Sequence, residues 1–153
     1  NTGMLFIVLG LVLLLFRQTR KAGLSALCAM LIGLVVVNFT IKPLVARARP
    51  WLVIENFVNL VPEHDPNSFP SGHTNAAFAF ALAVCLFAPK RWMKITAVCL
   101  AAVMGLSRLY VGVHFPSDVL VGAVVGSLCG LLGAFVVNKA WERLSRPTPL
   151  DPE

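Results

Sequence analysis

The sequence is short of charge, and above all of acidic side chains. Only 13% of its 153 residues are charged, and seven Asp and Glu stand against thirteen Lys and Arg. Soluble domains carry about twice that share of charged residues, so this chain cannot cover a water-facing surface in the usual way. A soluble helical protein with a large core is also excluded, because apolar runs close to membrane-spanning length recur along the chain. The composition predicts an integral membrane protein.

Two other patterns are missing. The net charge is +6 and the pI is about 9.6, yet aromatic and basic residues are not interleaved as on a nucleic-acid-binding surface, so we predict no nucleic-acid partner. The cysteines lie inside apolar stretches without the spacing of a metal site, which predicts packing roles rather than disulfides or metal ligands. These cysteines are Cys28, Cys85, Cys99 and Cys129.

Five apolar segments predict an all-α fold, a polytopic transmembrane helix bundle. They cover residues 3–16, 22–41, 74–88, 95–113 and 117–137. Basic clusters follow the first, third and fifth segments, and the positive-inside rule places all three clusters in the cytoplasm. The clusters are Arg17, Arg20 and Lys21; Lys90, Arg91 and Lys94; and Lys139, Arg143 and Arg146. Because the same rule puts the start of the chain outside, we expect a sixth helix before Asn1.

The long connection between the second and third segments predicts a short interfacial helix, lying on the membrane as a gate for substrate or as a simple anchored connection. Its polar face would hold Glu55, Asn56, Asn59 and Glu63, and its apolar face Ile54, Phe57, Val58 and Val61. We predict one transmembrane domain over residues 1–145. The last eight residues, 146–153, contain three prolines and predict a disordered cytoplasmic tail.

Polar residues gather at the predicted outer ends of the segments. They follow the second segment, open the third, and join the fourth to the fifth: Lys42 and Arg49; Ser71, Gly72 and His73; Arg108, His114 and Asp118. Charge at the end of a membrane helix without a topological reason indicates a functional site. We expect Arg47, in the same region, only to reach toward lipid headgroups.

This group of residues suits a phosphate. As the N-cap of the third segment, Ser71 would leave the N–H groups of Gly72 and His73 free at a positive helix end. Pro116 fits the first position of the fifth segment and predicts a second positive helix end nearby. The cations would complete the site, since arginine matches phosphate oxygens with a bidentate fork.

The two histidines of this group suit nucleophilic and acid catalysis. His114 and Asp118 are four residues apart, so the carboxylate can hold one imidazole nitrogen and leave the other free to attack phosphorus. His73 would then protonate the departing alkoxide. Either histidine alone would more often be structural, but together with an aspartate and three cations they predict an enzyme.

Three motifs carry a resemblance to a known family. Lys42-(six residues)-Arg49-Pro50, Pro70-Ser71-Gly72-His73 and Ser107-Arg108-(five residues)-His114-(three residues)-Asp118 resemble the signatures of the type 2 phosphatidic acid phosphatase family. The resemblance implies a six-helix membrane bundle, a phosphohistidine intermediate and no metal or other cofactor. It implies His114 as nucleophile, Asp118 as its partner and His73 as general acid. It also implies a set of phosphate ligands, namely Lys42, Arg49, Ser71, Gly72 and Arg108.

The implied function is hydrolysis of a phosphate monoester or pyrophosphate ester of a membrane lipid, at a site on the extracytoplasmic side of the plasma or inner membrane. Undecaprenyl pyrophosphate is favoured because recycling of a carrier lipid suits an outward-facing site. Phosphatidylglycerophosphate, phosphatidic acid and lipid A are the alternatives. Two other classes stay open: a vanadium haloperoxidase-like enzyme, and a non-catalytic lipid-binding or transport protein.

Two further features have competing interpretations. Glu63, His64 and Asp65 contain metal-binding side chains, but three consecutive residues rarely aim at one ion, so we predict no metal site. Glycines at four-residue spacing favour close packing inside the bundle over self-association as a homo-oligomer. These glycines are Gly122, Gly126 and Gly130, with Gly133 nearby.

Overall fold

The computed structural model describes residues 3–145, and these residues form a helical bundle. The helices are α1 (Gly3–Leu15), α2 (Arg20–Val45), α3 (Pro50–Val53), α4 (Gly72–Phe87), α5 (Arg91–Tyr110) and α6 (Pro116–Leu144). No strand occurs among the described residues apart from one isolated bridge between Ala48 and Asn67. The predicted all-α fold is confirmed. The predicted disordered tail lies outside the described residues.

Three of the helices, α2, α5 and α6, are long and apolar enough to cross a membrane. Helices α1 and α4 are also apolar but shorter, with 13 and 16 residues. Helix α4 lies at the centre of the bundle and contacts α1, α2, α5 and α6. The outward faces carry exposed apolar side chains such as Leu120, Val124 and Leu128, which lipid can cover. This arrangement is that of a polytopic membrane bundle.

Glycines on α6 bring its backbone against its neighbours. A Cβ atom on Gly126 would lie 2.9 Å from the Cα of Asn75 in α4, and one on Gly133 would lie 2.6 Å from the backbone nitrogen of Ala29 in α2. Real Cβ atoms do not approach backbone so closely, so only glycine permits these crossings. The predicted packing role of the glycines within the bundle is confirmed.

Helix α2 changes its winding before it reaches the polar end of the bundle. Val35–Ile41 form a π-helical segment, and one further α-helical turn ends at Val45. Ala46 then takes a left-handed conformation with φ 46°, and the chain leaves the helix axis. Short π-helical insertions are frequent at functional sites, because they redirect side chains on the turns that follow. Here Lys42 is buried on the turn after the insertion.

The predicted interfacial helix is wrong beyond its first turn. Only Pro50–Val53 is helical, and the chain from residue 54 to residue 71 is irregular. Asn56 has a left-handed φ of 57°, which breaks a helix. The backbone of this connection forms hydrogen bonds with other segments instead of the bonds within a helix. The Leu60 N–H donates to the Val111 carbonyl at 3.0 Å, and the Ser68 N–H donates to the Arg47 carbonyl at 2.7 Å.

At the end of the bundle that carries the basic clusters, Lys21 contacts two other helices. Its ammonium group donates to Asn138 Oδ1 at 2.5 Å and lies 4.6 Å from the centre of the Phe87 ring. The start of α2 therefore meets the ends of α4 and α6. The polar motif residues lie at the opposite ends of these helices. All four cysteines are free; Cys129 is buried as the predicted packing role requires, whereas Cys99 is exposed.

Candidate active site

Two helix N-termini meet at the centre of the site. Ser71 caps α4, accepting hydrogen bonds from the Thr74 N–H at 3.4 Å and the Thr74 hydroxyl at 2.9 Å. Pro116 is the first residue of α6. The Ser71 N–H donates to the Asp118 carbonyl at 3.0 Å and ties the two helix starts together. The predicted positions of Ser71 and Pro116 are confirmed.

His114 lies in the short loop before α6, with its two ring nitrogens in different surroundings. Nδ1 is 3.6 Å from Oδ2 of Asp118, and Nε2 is 3.3 Å from Nη1 of Arg49. Because a guanidinium can only donate, we assign the lone pair to Nε2 and the proton to Nδ1, beside the carboxylate. This tautomer leaves Nε2 able to attack an electrophile.

The surroundings of His114 also favour its neutral form. The residue is only 5% exposed. Burial lowers the pKa of His114 below its ordinary value; the Asp118 carboxylate opposes the shift, and the charges of Arg49 and Lys42 reinforce it. The imidazole is therefore uncharged at neutral pH, as a nucleophile requires.

Asp118 is fully buried and accepts hydrogen bonds from three directions. Its Oδ2 accepts from the Phe115 N–H at 2.9 Å and from the Ser68 hydroxyl, and its Oδ1 accepts from Nη1 of Arg47 at 2.9 Å. A buried carboxylate is tolerated only when its oxygens are satisfied in this way. The carboxylate is thus fixed behind His114.

Arg49 is the central cation of the site, with only 1% of its surface exposed. Its Nε donates to the Asp65 carbonyl at 2.6 Å and its Nη1 to the Val113 carbonyl at 2.9 Å. Burial lowers the pKa of Arg49, while Glu63, Asp65 and Asp118 act in the opposite direction. The guanidinium stays charged, because arginine starts from a pKa far above neutrality.

Lys42 is buried and forms an ion pair with Asp65. Burial acts to raise the pKa of Asp65, but the hydrogen bonds from Lys42 and from the Asn67 N–H outweigh it, and the net pKa is below its ordinary value. Asp65 and Glu63 also lie 3.7 Å and 3.8 Å from Nη2 of Arg49. An anion that binds to these two cations therefore competes with the carboxylates of the loop.

A cavity of about 520 Å³ joins this charged group to the apolar interior. Five predicted site residues line its polar end: Lys42, Arg49, Gly72, His73 and His114. The carboxylates Glu63 and Asp65 line the same end, and Asn38 and Asn75 add two amides. The remaining walls are mostly apolar side chains of α1 and α2, among them Ile7, Leu27, Met30, Leu31 and Leu34. The cavity can accommodate a molecule with an anionic head and an apolar chain.

Three predicted site residues do not line this cavity. Ser71 and Asp118 lie behind it and hold the helix start and the His114 ring. Arg108 is buried, but its Nε and Nη2 both lie 3.2 Å from the hydroxyl of Ser107, on its own helix. Arg108 therefore does not line the cavity, although its charge lies within electrostatic range of His73, and its role as a phosphate ligand stays a prediction.

Sequence reasoning missed two residues of the site. The prediction that Arg47 only reaches toward headgroups is wrong: its side chain is 38% exposed, but its Nη1 donates to the Ser117 hydroxyl at 2.7 Å and to Asp118. Ser68 donates to Asp118, and its hydroxyl lies 3.5 Å from Nδ1 of His114. Both residues belong to irregular segments far from Asp118 in sequence, so no spacing signals the contact.

The side chains of Glu63, His64 and Asp65 do not point toward a common position that a metal ion could occupy. Within residues 3–145, no group of three or more His, Cys, Asp or Glu side chains is arranged to hold an ion. His64 is exposed, and the two carboxylates face the Arg49 and Lys42 side chains instead.

The sequence model of the PAP2 superfamily matches residues 22–142. The chain is 37% identical over 124 residues to an undecaprenyl-diphosphatase of Sulfolobus acidocaldarius, covering 78% of this chain and 57% of that protein. It is 35% identical over 119 residues to a lipid A 4'-phosphatase of Bacteroides thetaiotaomicron, covering 74% of this chain and 52% of that protein. The chain thus spans about half the length of these curated relatives.

Among solved structures, the fold is similar to a transmembrane PAP2-type phosphatidylglycerolphosphate phosphatase of Bacillus subtilis. The TM-score is 0.65 at 31% identity, and the match covers 94% of this chain and 70% of that one. The three motifs, the apolar helix bundle and the match over most of the sequence agree. The chain is a membrane protein and belongs to the PAP2 superfamily.

Proposed function

We propose that the protein is a membrane lipid phosphatase that works through a phosphohistidine on Nε2 of His114. One observation carries the proposal: Nε2 of the buried His114 lies beside Arg49 at a cavity whose polar end holds two cations paired with loop carboxylates and whose other walls are mostly apolar. A phosphorylated lipid has matching parts, an anionic head and an apolar chain. The relatives named as lipid phosphatases support the same class of substrate.

In the proposed first step, Lys42, Arg49 and the N–H groups at the start of α4 hold the phosphoryl oxygens. Nε2 of His114 attacks phosphorus, and the bond from phosphorus to the leaving oxygen breaks. The bound phosphate favours the imidazolium form of His73, which donates its proton to that oxygen. Asp118 faces the Nδ1 proton, with Oδ2 3.6 Å from Nδ1, and stabilises the positive charge that develops on the His114 ring.

In the second step, water attacks the phosphohistidine. The bond between phosphorus and Nε2 breaks, the imidazole regains its lone pair, and His73, now neutral, accepts the proton of the water. Inorganic phosphate then leaves. No residue changes its protonation over a complete cycle, as turnover requires.

Among lipid substrates we favour undecaprenyl pyrophosphate. The name of the Sulfolobus relative supports it, and so does a cavity whose apolar walls can hold a long isoprenoid chain. Lipid A and phosphatidylglycerophosphate are supported by the names of the other similar proteins, and phosphatidic acid by the family resemblance.

We place the site on the extracytoplasmic face of the plasma or inner membrane. The reason is the positive-inside rule: basic clusters occupy the opposite end of the bundle, where Lys21 meets the ends of α4 and α6. A lipid headgroup in the outer leaflet would then reach His114 directly.

Phosphate release from a panel of phosphorylated lipids in detergent tests this function. We expect release from undecaprenyl pyrophosphate to be fastest, and His114→Ala to retain less than about a hundredth of the wild-type rate. His64→Ala is the matched control, because His64 is exposed and should leave the rate unchanged. A folded wild-type protein that releases phosphate from no lipid would favour a transport protein, and halide oxidation with added vanadate would favour the haloperoxidase class.

A further inference from the structure

Asp118 has a cationic partner that none of the three motifs includes. Nη1 of Arg47 lies 2.9 Å from Oδ1, the carboxylate oxygen that is not the one nearest to His114. The other oxygen, Oδ2, is the one nearest to Nδ1 of His114 and accepts from Ser68 and the Phe115 N–H. Each oxygen of the carboxylate therefore has its own donors.

A turn at Ala46 and pairing with the segment around Ser68 place Arg47 beside Asp118. Ala46 takes the left-handed conformation, which is strained for a residue with a Cβ atom, and the chain turns back directly before Arg47. The Arg47 carbonyl accepts from the Ser68 N–H at 2.7 Å, and Ala48 forms a bridge with Asn67. The paired segments thus present Arg47 and Ser68 together to the same carboxylate.

The guanidinium of Arg47 is also held from other sides. Its Nη1 donates to the Ser117 hydroxyl at 2.7 Å, and its Cζ lies 4.1 Å from the centre of the Phe115 ring. A cation that only reached toward lipid headgroups would have no need of a buried carboxylate, a hydroxyl and an aromatic face. The contacts of Arg47 all lie at the start of α6, around the residue that orients His114.

We propose that Arg47 is a positioning residue that holds Oδ1 of Asp118, so that Oδ2 stays aligned with Nδ1 of His114. The inference rests on the proposed function, because it concerns the same nucleophile. Arg47 itself touches no reacting atom in this scheme. It acts by fixing the direction of the carboxylate and by adding a positive charge to it.

The charge of Arg47 gives a measurable signature on His114. The charged and titratable groups around His114 are Asp118 on α6, Arg49 before α3, Lys42 at the end of α2, and His73 at the start of α4. Without Arg47, the Asp118 carboxylate would lack its nearest cation and would attract a proton on His114 more strongly. The pKa of His114 should then rise.

The test compares Arg47→Met and Arg47→Lys with the wild-type protein. We expect Arg47→Met to lower kcat roughly a hundredfold with little change in KM, because a misplaced nucleophile affects the reaction more than binding. The acid limb of kcat/KM should move to higher pH. Arg47→Lys keeps the charge and one donor and should restore most of kcat and the position of the acid limb.

Titration of the His114 ring by NMR provides a readout independent of turnover. With three histidines in the chain, His64→Ala and His73→Ala identify the resonances. We expect the pKa of His114 to be higher in Arg47→Met than in the wild-type protein. Arg91→Met, an exposed arginine at the far end of α5, is the matched control and should change neither kcat nor the titration.

Unchanged kcat and an unchanged His114 titration in Arg47→Met would overturn the inference. So would a loss of kcat that Arg47→Lys does not restore although both variants fold. If Arg47→Met does not fold, Arg47→Gln, which keeps a donor without the charge, should still raise the pKa of His114. An inactive wild-type protein would overturn the proposed function instead, while the titration would still decide the role of Arg47.

Discussion

The three histidines of the chain differ in what surrounds them. His64 is exposed, His73 is half-buried at the first turn of α4, and His114 is almost completely buried between Arg49 and Asp118. Only His114 combines a carboxylate at one ring nitrogen with a cation at the other. That difference, rather than residue type, separates a proposed nucleophile from a proposed acid and from a surface residue.

The role of His73 depends on the leaving group. If His73 protonates the departing oxygen, His73→Ala should be severe for a lipid phosphomonoester and milder for para-nitrophenyl phosphate, whose leaving group carries negative charge without a proton. Comparing kcat/KM of the variant on the two substrates tests this, with His64→Ala as the control. Equal losses on both substrates would make His73 a phosphate ligand and remove its role as general acid.

The pH dependence should report the ionisation of His114. Below its pKa the ring is protonated and Nε2 has no lone pair, so kcat/KM should fall as the pH falls through that pKa. Because burial lowers the pKa of His114, this acid limb should lie below the ordinary histidine range. The substrate phosphate is titrated separately by phosphorus NMR and its contribution subtracted. An acid limb above the ordinary range would contradict the proposed environment of His114.

At the scale of the elements, the helices follow from the sequence, whereas the long connection does not. The apolar segments and the N-cap residue Ser71 are local sequence signals. The structure has helices at the predicted segments and Ser71 at the predicted cap. The prediction of an interfacial helix was wrong because the polar and apolar pattern after Val53 does not reveal a long-range contact. There the Leu60 N–H donates to the Val111 carbonyl instead of to a carbonyl of its own helix turn. Pairing between distant segments is a tertiary effect that periodicity cannot report.

The same limit applies to the site. Lys42, Arg49, His73 and His114 were predicted, and the structure gathers them around one cavity. The contact of Arg47 with Asp118 spans 71 positions and depends on the left-handed turn at Ala46, for which alanine gives no sequence signal. The direction of the Arg108 side chain also follows from local packing that spacing does not determine.

The crossing of α4 and α6 depends on Gly126. A Cβ atom there would press on the backbone of Asn75, so Gly126→Ala should push the helices apart and destabilise the protein by about 1–3 kcal/mol. The expected result is a lower thermal midpoint in detergent and lower activity, since α4 carries His73. Val124→Ala, 61% exposed on the same helix, is the control and should stay close to wild type. Equal midpoints for both variants would contradict this packing.

At the scale of the whole molecule, the two ends of the bundle have different chemistry. One end carries the basic clusters around Lys21, and the other brings cations, carboxylates and two histidines to a cavity that opens along apolar helix faces. This polarity fits a protein fixed in one orientation in a membrane. It also fits a reaction in which the chain of the substrate stays in lipid while its head reaches the polar end.

The proposed chemistry needs no metal ion, because cations and helix N-termini supply the positive charge around phosphate. Lipid phosphatase activity should therefore be unchanged after dialysis against EDTA. The assay is phosphate release before and after chelation, with magnesium added back to a parallel sample. Activity that disappears with EDTA and returns only with magnesium would contradict the account, and Glu63 and Asp65 would become candidate ligands.

Catalysis by His114 as proposed passes through a covalent phosphohistidine, which a rapid-quench experiment can trap. The enzyme is mixed with a lipid substrate labelled in its terminal phosphate and denatured in alkali within the first turnover, because the phosphorus–nitrogen bond of phosphohistidine survives alkali and breaks in acid. We expect label on the wild-type and His64→Ala proteins, none on His114→Ala, and release of the label on acidification. Rapid phosphate release without labelled protein, or label that persists in His114→Ala, would contradict it.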